Sequence, residues 1–202
     1  MNVGVLASGA GTNLQALIDR AHGRDGVQLV AVASDRPHAR ALARAGEAGI
    51  AAEAFACVGF ADRPARDAAI AAWLRERGVE LVVLAGYMQL LSPEFLATFP
   101  DAVINVHPAL LPAFPGLQAV QQAIDYGVKV FGVTVHFVDG GVDTGPVILQ
   151  RALELPDARD PEDVLERLHP VEHELLVETV GLLGRGAVSF DPGNPRRVVI
   201  AR

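Results

Sequence analysis

Along the first half of the chain, short unbroken apolar runs alternate with longer stretches whose apolar residues recur at helical spacing. The runs are VGVLAS near residues 3–8, VQLVAVASD near 27–35, AAEAFA near 51–56, ELVVLAG near 80–86 and AVINVH near 102–107. Between them lie LQALIDRAHGR, ARALARAGEAG and ARDAAIAAWLRERG, each ending in Arg or Gly as helices do. An apolar run followed by a helical stretch is the repeating unit of βαβ folds, so the pattern predicts a parallel sheet. Runs of Val, Leu and Ala without polar alternation predict strands buried on both faces.

After residue 107 the pattern changes. A loop punctuated by Pro108, Pro112, Pro115 and Gly116 precedes a helix from about Leu117 to Tyr126. Two extended runs follow, VFGVTVHFVD and PVILQRALELP, joined through GGVDTG in the manner of a long hairpin connection. PEDVLERLHPVEHELLVETVGLLGRG reads as a long amphipathic helix with acidic residues in its first turn, and VSF and RRVVIA around DPGNP read as a final hairpin. The expected fold is α/β: a mostly parallel twisted sheet with helices on both faces, to which the C-terminal part adds antiparallel strands. A single domain over 1–202 is expected, with a nucleotide- or phosphate-binding lobe at 1–100 and a catalytic lobe at 101–202.

Composition narrows the function classes. A chain of 202 residues, half of them hydrophobic, can build one substantial core. A net charge of −7 argues against nucleic-acid or anionic-membrane binding, which relies on clustered Lys and Arg. Cys57 is the single cysteine, so no internal disulfide or cysteine zinc cluster is expected, and a reducing cytoplasm is the natural setting. Cys57 itself reads as a small apolar residue after the third strand. No charged leader and no membrane-length apolar run is seen, so a soluble, unprocessed protein is expected.

Four segments carry candidate chemistry. In ASGAGTNLQAL, after the first run, Gly9 and Gly11 permit tight turns, and Thr12 and Asn13 are expected to cap the helix and leave its N–H groups facing an anion. Leu14 breaks the dinucleotide fingerprint although acidic Asp35 follows the second run, so a single phosphate fits better; a ligand-free glycine turn is the alternative. LAGYMQLLSPEF ends the fourth run, where ligands bind in open α/β sheets, or it is an apolar loop before a helix capped by Ser92 with Pro93 at its first position. Asn105 and His107 alternate along the fifth run and so share a side, offering an amide donor and a titratable imidazole to a developing oxyanion. The glycine-rich DGGVDTGP supplies Asp139 and Asp143; a carboxylate beside His107 would favour its charged form and fix its orientation, while a solvated acidic turn is the other reading.

HPVEH, residues 169–173, matches an inverted zinc-protease signature, but Pro170 lies between the supposed ligands and little chain remains to supply another. No metal is therefore expected, and Glu172 is better suited to hydrogen-bond a substrate amine or hydroxyl.

The ordered set S-G-x-G-T-N, G-Y-M-Q-L-L-S-P, I-N-V-H-P-A-L-L-P-x-F-P-G and H-F-V-D-x-G-V-D-T-G-P-V-I-x-Q resembles the phosphoribosylglycinamide formyltransferases, folate-dependent enzymes of purine biosynthesis. The resemblance runs from Met1 to the final helix. The C-terminal domain added in the related tRNA formyltransferases and the regulatory domain in front of the formyl-folate deformylases are not expected here. The family implies formyl transfer from 10-formyltetrahydrofolate, as co-substrate, to the amine of glycinamide ribonucleotide, by a monomer or homodimer. It places Gly11, Thr12, Asn13, His169 and Glu172 on the ribonucleotide. It places Arg63, Met88, Gln89, Leu90, Leu91, Asn105 and the loop Asp139, Gly140, Gly141, Val142 and Asp143 on the folate. Asn105, His107 and Asp143 are the implied catalytic group, with Asn105 and protonated His107 stabilising the oxyanion. The chain departs from the family pattern at Gln89, Ala109 and Gln118, where many members carry Arg, Ser and His. A formyl-folate hydrolase, a formyltransferase for another amine and a non-catalytic nucleotide-binding regulator remain as alternatives.

Overall fold

The alternating runs become strands β1 (Asn2–Leu6), β2 (Gln28–Ser34), β3 (Ala51–Ala54) and β4 (Leu81–Leu84) in the computed structural model, which describes residues 1–201. The chain divides into two compact units, Met1–Ile104 and Asn105–Arg202. β5 (Val103–His107) begins in the first and ends in the second. β1 to β7 form a mostly parallel seven-stranded mixed sheet; the final two strands are a separate antiparallel pair.

In the first unit the order is β3-β2-β1-β4, all parallel, with Val5 of β1 level with Val32 on one side and Val83 on the other. Helices α1 (Thr12–Arg20), α2 (Arg40–Glu47), α3 (Arg63–Glu76) and α4 (Pro93–Thr98) complete it. Val3, Val5, Leu6, Leu14, Leu17, Ile70 and Leu74 are fully buried, and burying each large side chain contributes about 1.5–3 kcal/mol. Gly4 is required where α3 comes down on β1, because a Cβ there would lie 2.9 Å from Leu74 Cδ2. α4 starts as expected, with Ser92 accepting from the Phe95 N–H and Pro93 in the first turn. One run departs from the reading: β3 is mostly exposed because it is the edge of the sheet, and its Ala side chains cover little.

In the second unit helix α5 (Ala119–Tyr126) precedes strands β6 (Val130–Phe137) and β7 (Val147–Glu154), which pair antiparallel. Their register slips between Val135 and His136, where β7 carries the extra residue Ile148 opposite the end of β6. Helix α6 (Pro161–Gly184) packs on both strands and is capped by Asp160, with Pro161, Glu162 and Asp163 in its first turn. It continues through Pro170 despite the missing N–H, held by Leu168, Leu175 and Leu176 buried on either side. The last hairpin is β8 (Val188–Asp191) and β9 (Asn194–Ile200), as the DPGNP turn predicted.

Candidate active site

Period-two geometry puts Asn105 and His107 on one side of β5, and the loop between β6 and β7 brings Asp143 to them. Asp143 is a hub. Its Oδ1 accepts from Asn105 Nδ2 at 3.2 Å and lies 3.4 Å from His136 Nε2. Its Oδ2 accepts from the Gly116 N–H at 2.7 Å and lies 3.3 Å from His107 Nδ1. Asp139, the other candidate carboxylate, does not reach an imidazole in this way. Its Oδ1 accepts from the Gly141 N–H at 3.0 Å and the Thr144 hydroxyl at 2.6 Å, which folds the loop.

Loop chemistry explains why Asp143 can sit there. Asp143 has φ of 53°, a left-handed conformation that Asp tolerates better than most residues. Gly145 packs so tightly on β6 that a Cβ would run into the Phe137 carbonyl oxygen. The prolyl loop is tied down equally firmly. The Thr134 hydroxyl accepts from the Leu111 N–H and donates to the Ala109 carbonyl, and Gln150 Nε2 donates to the Leu111 carbonyl at 2.8 Å. That loop delivers the Phe114 carbonyl to His107 Nε2 at 2.9 Å.

The hydrogen bonds decide the charge pattern. Burial alone pushes the Asp143 carboxyl up, but the bonds from His136 and the Gly116 N–H and the charge of His107 outweigh it and hold the group below the usual carboxylate range. Both nitrogens of His107 face oxygen acceptors, so only a doubly protonated ring satisfies both. His136 Nδ1 donates to the Phe137 carbonyl at 2.7 Å, and its Nε2 lies 3.3 Å from Asn105 Nδ2 beside its 3.4 Å approach to Asp143 Oδ1. The amide of Asn105 is thereby oriented, because turning it over would set its oxygen against the Asp143 carboxylate. The sequence reading missed His136. The signal was available: it is the buried polar residue two positions after Thr134, on the same side of β6 and inside the motif H-F-V-D.

In the first unit, α1 opens directly after the glycine turn. Thr12 and Asn13 do not cap it, contrary to expectation: the N-cap is Gly11, with φ of 70°, and no side chain caps the first turn. The left-handed turn needs Gly there, and a Cβ would lie 2.8 Å from Ala41 Cα. Helix α2 braces the turn, with the Ala41 N–H bonded to the Gly9 carbonyl and Arg44 Nε to the Ala10 carbonyl. The Ser8 hydroxyl accepts from the Met88 N–H at 2.9 Å, so the glycine turn and the segment after β4 lie together. In that segment Met88 and Leu90 are exposed, Gln89 and Leu91 are half-buried.

Gln89 has a defined local role. Its Oε1 accepts from Arg66 Nη1 at 3.3 Å and its Nε2 donates to Asp35 Oδ2 at 3.1 Å. Arg66 is buried and paired with fully buried Asp67 at 2.9 Å, and Asp67 also accepts from the Ser92 N–H. A guanidinium already occupies this place, so an Arg at position 89 would face a like charge. Arg63, one turn earlier on α3, is exposed at the helix start. Cys57 is not the packed apolar residue expected, for it is exposed and its Sγ accepts from Arg66 Nη1 at 3.0 Å.

On α6, His169 and His173 lie on one face with rings stacked at 6.4 Å, and Glu172 is buried. Among the described residues no group of three or more His, Cys, Asp or Glu is gathered to hold a metal ion, and no helix is long and apolar enough to cross a membrane.

The chain is similar to known proteins along most of its length. The Formyl transferase family model matches residues 1–180. A phosphoribosylglycinamide formyltransferase of Mycobacterium tuberculosis is 46% identical over 191 residues, covering 92% of this chain and 86% of that protein. A Drosophila melanogaster protein named trifunctional purine biosynthetic protein adenosine-3 is 40% identical over 94% of this chain, which spans 14% of the fly protein. The crystal structure of glycinamide ribonucleotide transformylase 1 from Symbiobacterium toebii superposes with a TM-score of 0.95 at 44% identity, covering 100% of this chain and 94% of that one. A match over most of the chain, a close relative and a shared fold agree, and the chain belongs to the phosphoribosylglycinamide formyltransferase family.

Proposed function

We propose that this chain transfers the formyl group of 10-formyltetrahydrofolate to the amine of 5-phosphoribosylglycinamide, giving formylglycinamide ribonucleotide and tetrahydrofolate in purine biosynthesis. The observation that carries the reading is the Asp143 hub, which holds an oriented amide and an imidazole with two donors side by side at the end of β5. The folate co-substrate supplies an activated formyl group, and the chain supplies positioning and charge. His107 donates to the oxygen on which negative charge develops, and the proton lost by the attacking amine passes, through His107 or water, to the departing folate nitrogen. Asp143 pairs with the ring and fixes its orientation, and Asn105 directs its carboxamide at the reacting group.

Gly11, Thr12 and Asn13 take the 5′-phosphate, at a helix start whose positive end is left without a side-chain cap. His169 and Glu172 contact the rest of the ribonucleotide. Exposed Met88, Leu90 and Val142 offer apolar surface to the pterin, with Gln89, Leu91 and the loop from Asp139 to Asp143 supplying polar contacts, and Arg63 is free to pair with a carboxylate of the folate tail. The enzyme works in the cytoplasm, as a monomer or homodimer, without a metal.

The test is release of the folate product, followed spectroscopically from a 10-formyl-dideazafolate analogue with and without glycinamide ribonucleotide. Release that requires the ribonucleotide supports the transferase. Equal release without it points to a hydrolase, and no release in either arm overturns both.

A further inference from the structure

The family match ends at residue 180, yet the hairpin that follows reaches the loop carrying Asp143. Arg196 of β9 donates from Nη2 to the Thr144 carbonyl at 2.6 Å. Thr144 follows Asp143 directly, and its hydroxyl is already bonded to Asp139. The residue is thus held from both ends, by a carboxylate within the loop and by a guanidinium from outside it. A second contact lies beside the first: the Phe190 ring of β8 rests on Phe137 with centroids 4.8 Å apart, next to His136 at the end of β6.

The hairpin is braced to bear on the loop. Asp191 Oδ1 accepts from the Gly193 N–H at 2.8 Å and Asn194 Oδ1 from the Arg196 N–H at 3.0 Å, which sets its turn. β9 packs on β7, whereas the Arg197–Asp191 pair at 3.5 Å within the hairpin is solvent-exposed and holds it little. The loop has need of an outside tie. Asp143 keeps a left-handed backbone with no strand pairing between Asp139 and Pro146, and its carboxylate must hold four contacts at once.

We propose that the C-terminal hairpin is a strap on the catalytic loop, with Arg196 as a positioning residue that acts through Thr144 to set Asp143. The proposal rests on the formyl-transfer reading for its catalytic consequence, though not for its structural one. Arg196 also faces Asp139, whose carboxyl burial pushes up but which the Thr144 hydroxyl, the Gly141 N–H and the Arg196 charge together hold low, so the guanidinium keeps the loop's own fold in its charged form.

The experiment compares wild type, Arg196→Ala, Arg196→Lys and Arg197→Ala in the full chain. Steady-state formyl transfer gives kcat and both KM values, and hydrogen exchange reports the peptide covering residues 138–146. If the strap lowers the fraction of molecules with a competent loop, Arg196→Ala should lose about 5- to 20-fold in kcat with each KM within about twofold. Its loop peptide should exchange faster, with unchanged exchange in β1 to β4. Arg196→Lys should recover part of both effects. Arg197→Ala removes the same charge from the same strand and should resemble wild type. Equal kcat and equal loop exchange in Arg196→Ala and wild type would overturn the strap, as would equal losses in Arg196→Ala and Arg197→Ala. Should the wild type transfer no formyl group, the activity reading fails and loop exchange alone decides the strap.

Discussion

Asp143→Asn isolates the charge of the hub while keeping its shape. Asn retains one acceptor oxygen. Placed at the Oδ2 position, that oxygen keeps the Gly116 N–H bond, worth most to the loop at 2.7 Å, and leaves an NH2 at the Oδ1 position facing the NH2 of Asn105. Two donors then oppose each other, so the Asn105 amide must turn. The His107 ring loses its counter-charge in the same step. A hydrogen bond to a charged partner contributes about 1.5–3 kcal/mol, and each 1.36 kcal/mol is tenfold in rate. Turning the charge-assisted contact at His107 into a neutral one and disorienting Asn105 should therefore cost about 10²- to 10³-fold in kcat, with the two effects not additive because they share one carboxylate. The ribonucleotide KM should change less than about threefold, since the phosphate site proposed above is on α1. Single-turnover folate release, with circular dichroism to confirm folding, measures both. A variant within threefold of wild type in kcat would refute the hub as the organiser of the chemistry.

Other predictions follow from single contacts. Gly145→Ala forces a Cβ onto the Phe137 carbonyl, so the loop cannot keep its path; folate release should fall with kcat for Asp143→Asn, and normal turnover in a folded variant would contradict the packing. Tyr87 buries a hydroxyl that has no hydrogen-bond partner, and burial pushes its pKa up, so Tyr87→Phe should hold or raise the thermal midpoint by about 1–3 °C; a drop larger than that counts against it. Asp143 and Asp139 both have folded pKa values below those of the unfolded chain, so the stability they contribute is complete above the unfolded value and is lost as pH falls through the folded values. Thermal melts from about pH 5 downward should accordingly fall less steeply for Asp143→Asn than for wild type, and parallel curves would exclude the linkage.

The strand pattern was legible because buried parallel strands are written as uninterrupted Val, Leu and Ala, the helix start at Ser92 because a side chain must answer the first N–H groups, and the start of α6 from its acidic first turn. Asn105 and His107 were legible for the same reason of periodicity. Asp143 could be paired with His107 only through the resemblance, since nothing local says where a nine-residue excursion of glycine and aspartate returns. Periodicity also hid some residues. Arg66 went unread because a helix register does not reveal which Arg faces a buried Asp67, and Thr12 was taken for a cap because a Gly at the N-cap leaves no side chain to betray it. The edge position of β3 depends on strand order, a long-range property that four consecutive residues cannot encode.

The resting cluster keeps its donors engaged on internal acceptors. Asn105 gives an N–H to Asp143 beside His136 Nε2, and His107 gives its own to Asp143 and to the Phe114 carbonyl. Stabilising a developing oxyanion at this place is therefore an exchange: one internal bond must be traded for a bond to substrate, and the bonds differ in what their loss costs. Releasing Asn105 or His107 from Asp143 leaves a half-buried carboxylate short of a partner. Releasing His107 Nε2 from Phe114 leaves only a neutral carbonyl on a half-buried loop residue whose own φ of 55° is unfavourable for a bulky side chain. The cheaper exchange is at Phe114, so on the proposed formyl-transfer reading the Nε2 proton of His107 is the donor offered to the reacting group, while Asp143 stays paired and Asn105 keeps its orientation. This ordering gives the prolyl loop its function. It parks the imidazole on a replaceable acceptor until a better one arrives, and the Thr134 and Gln150 bonds hold the rest of the loop so that only the Phe114 end has to yield.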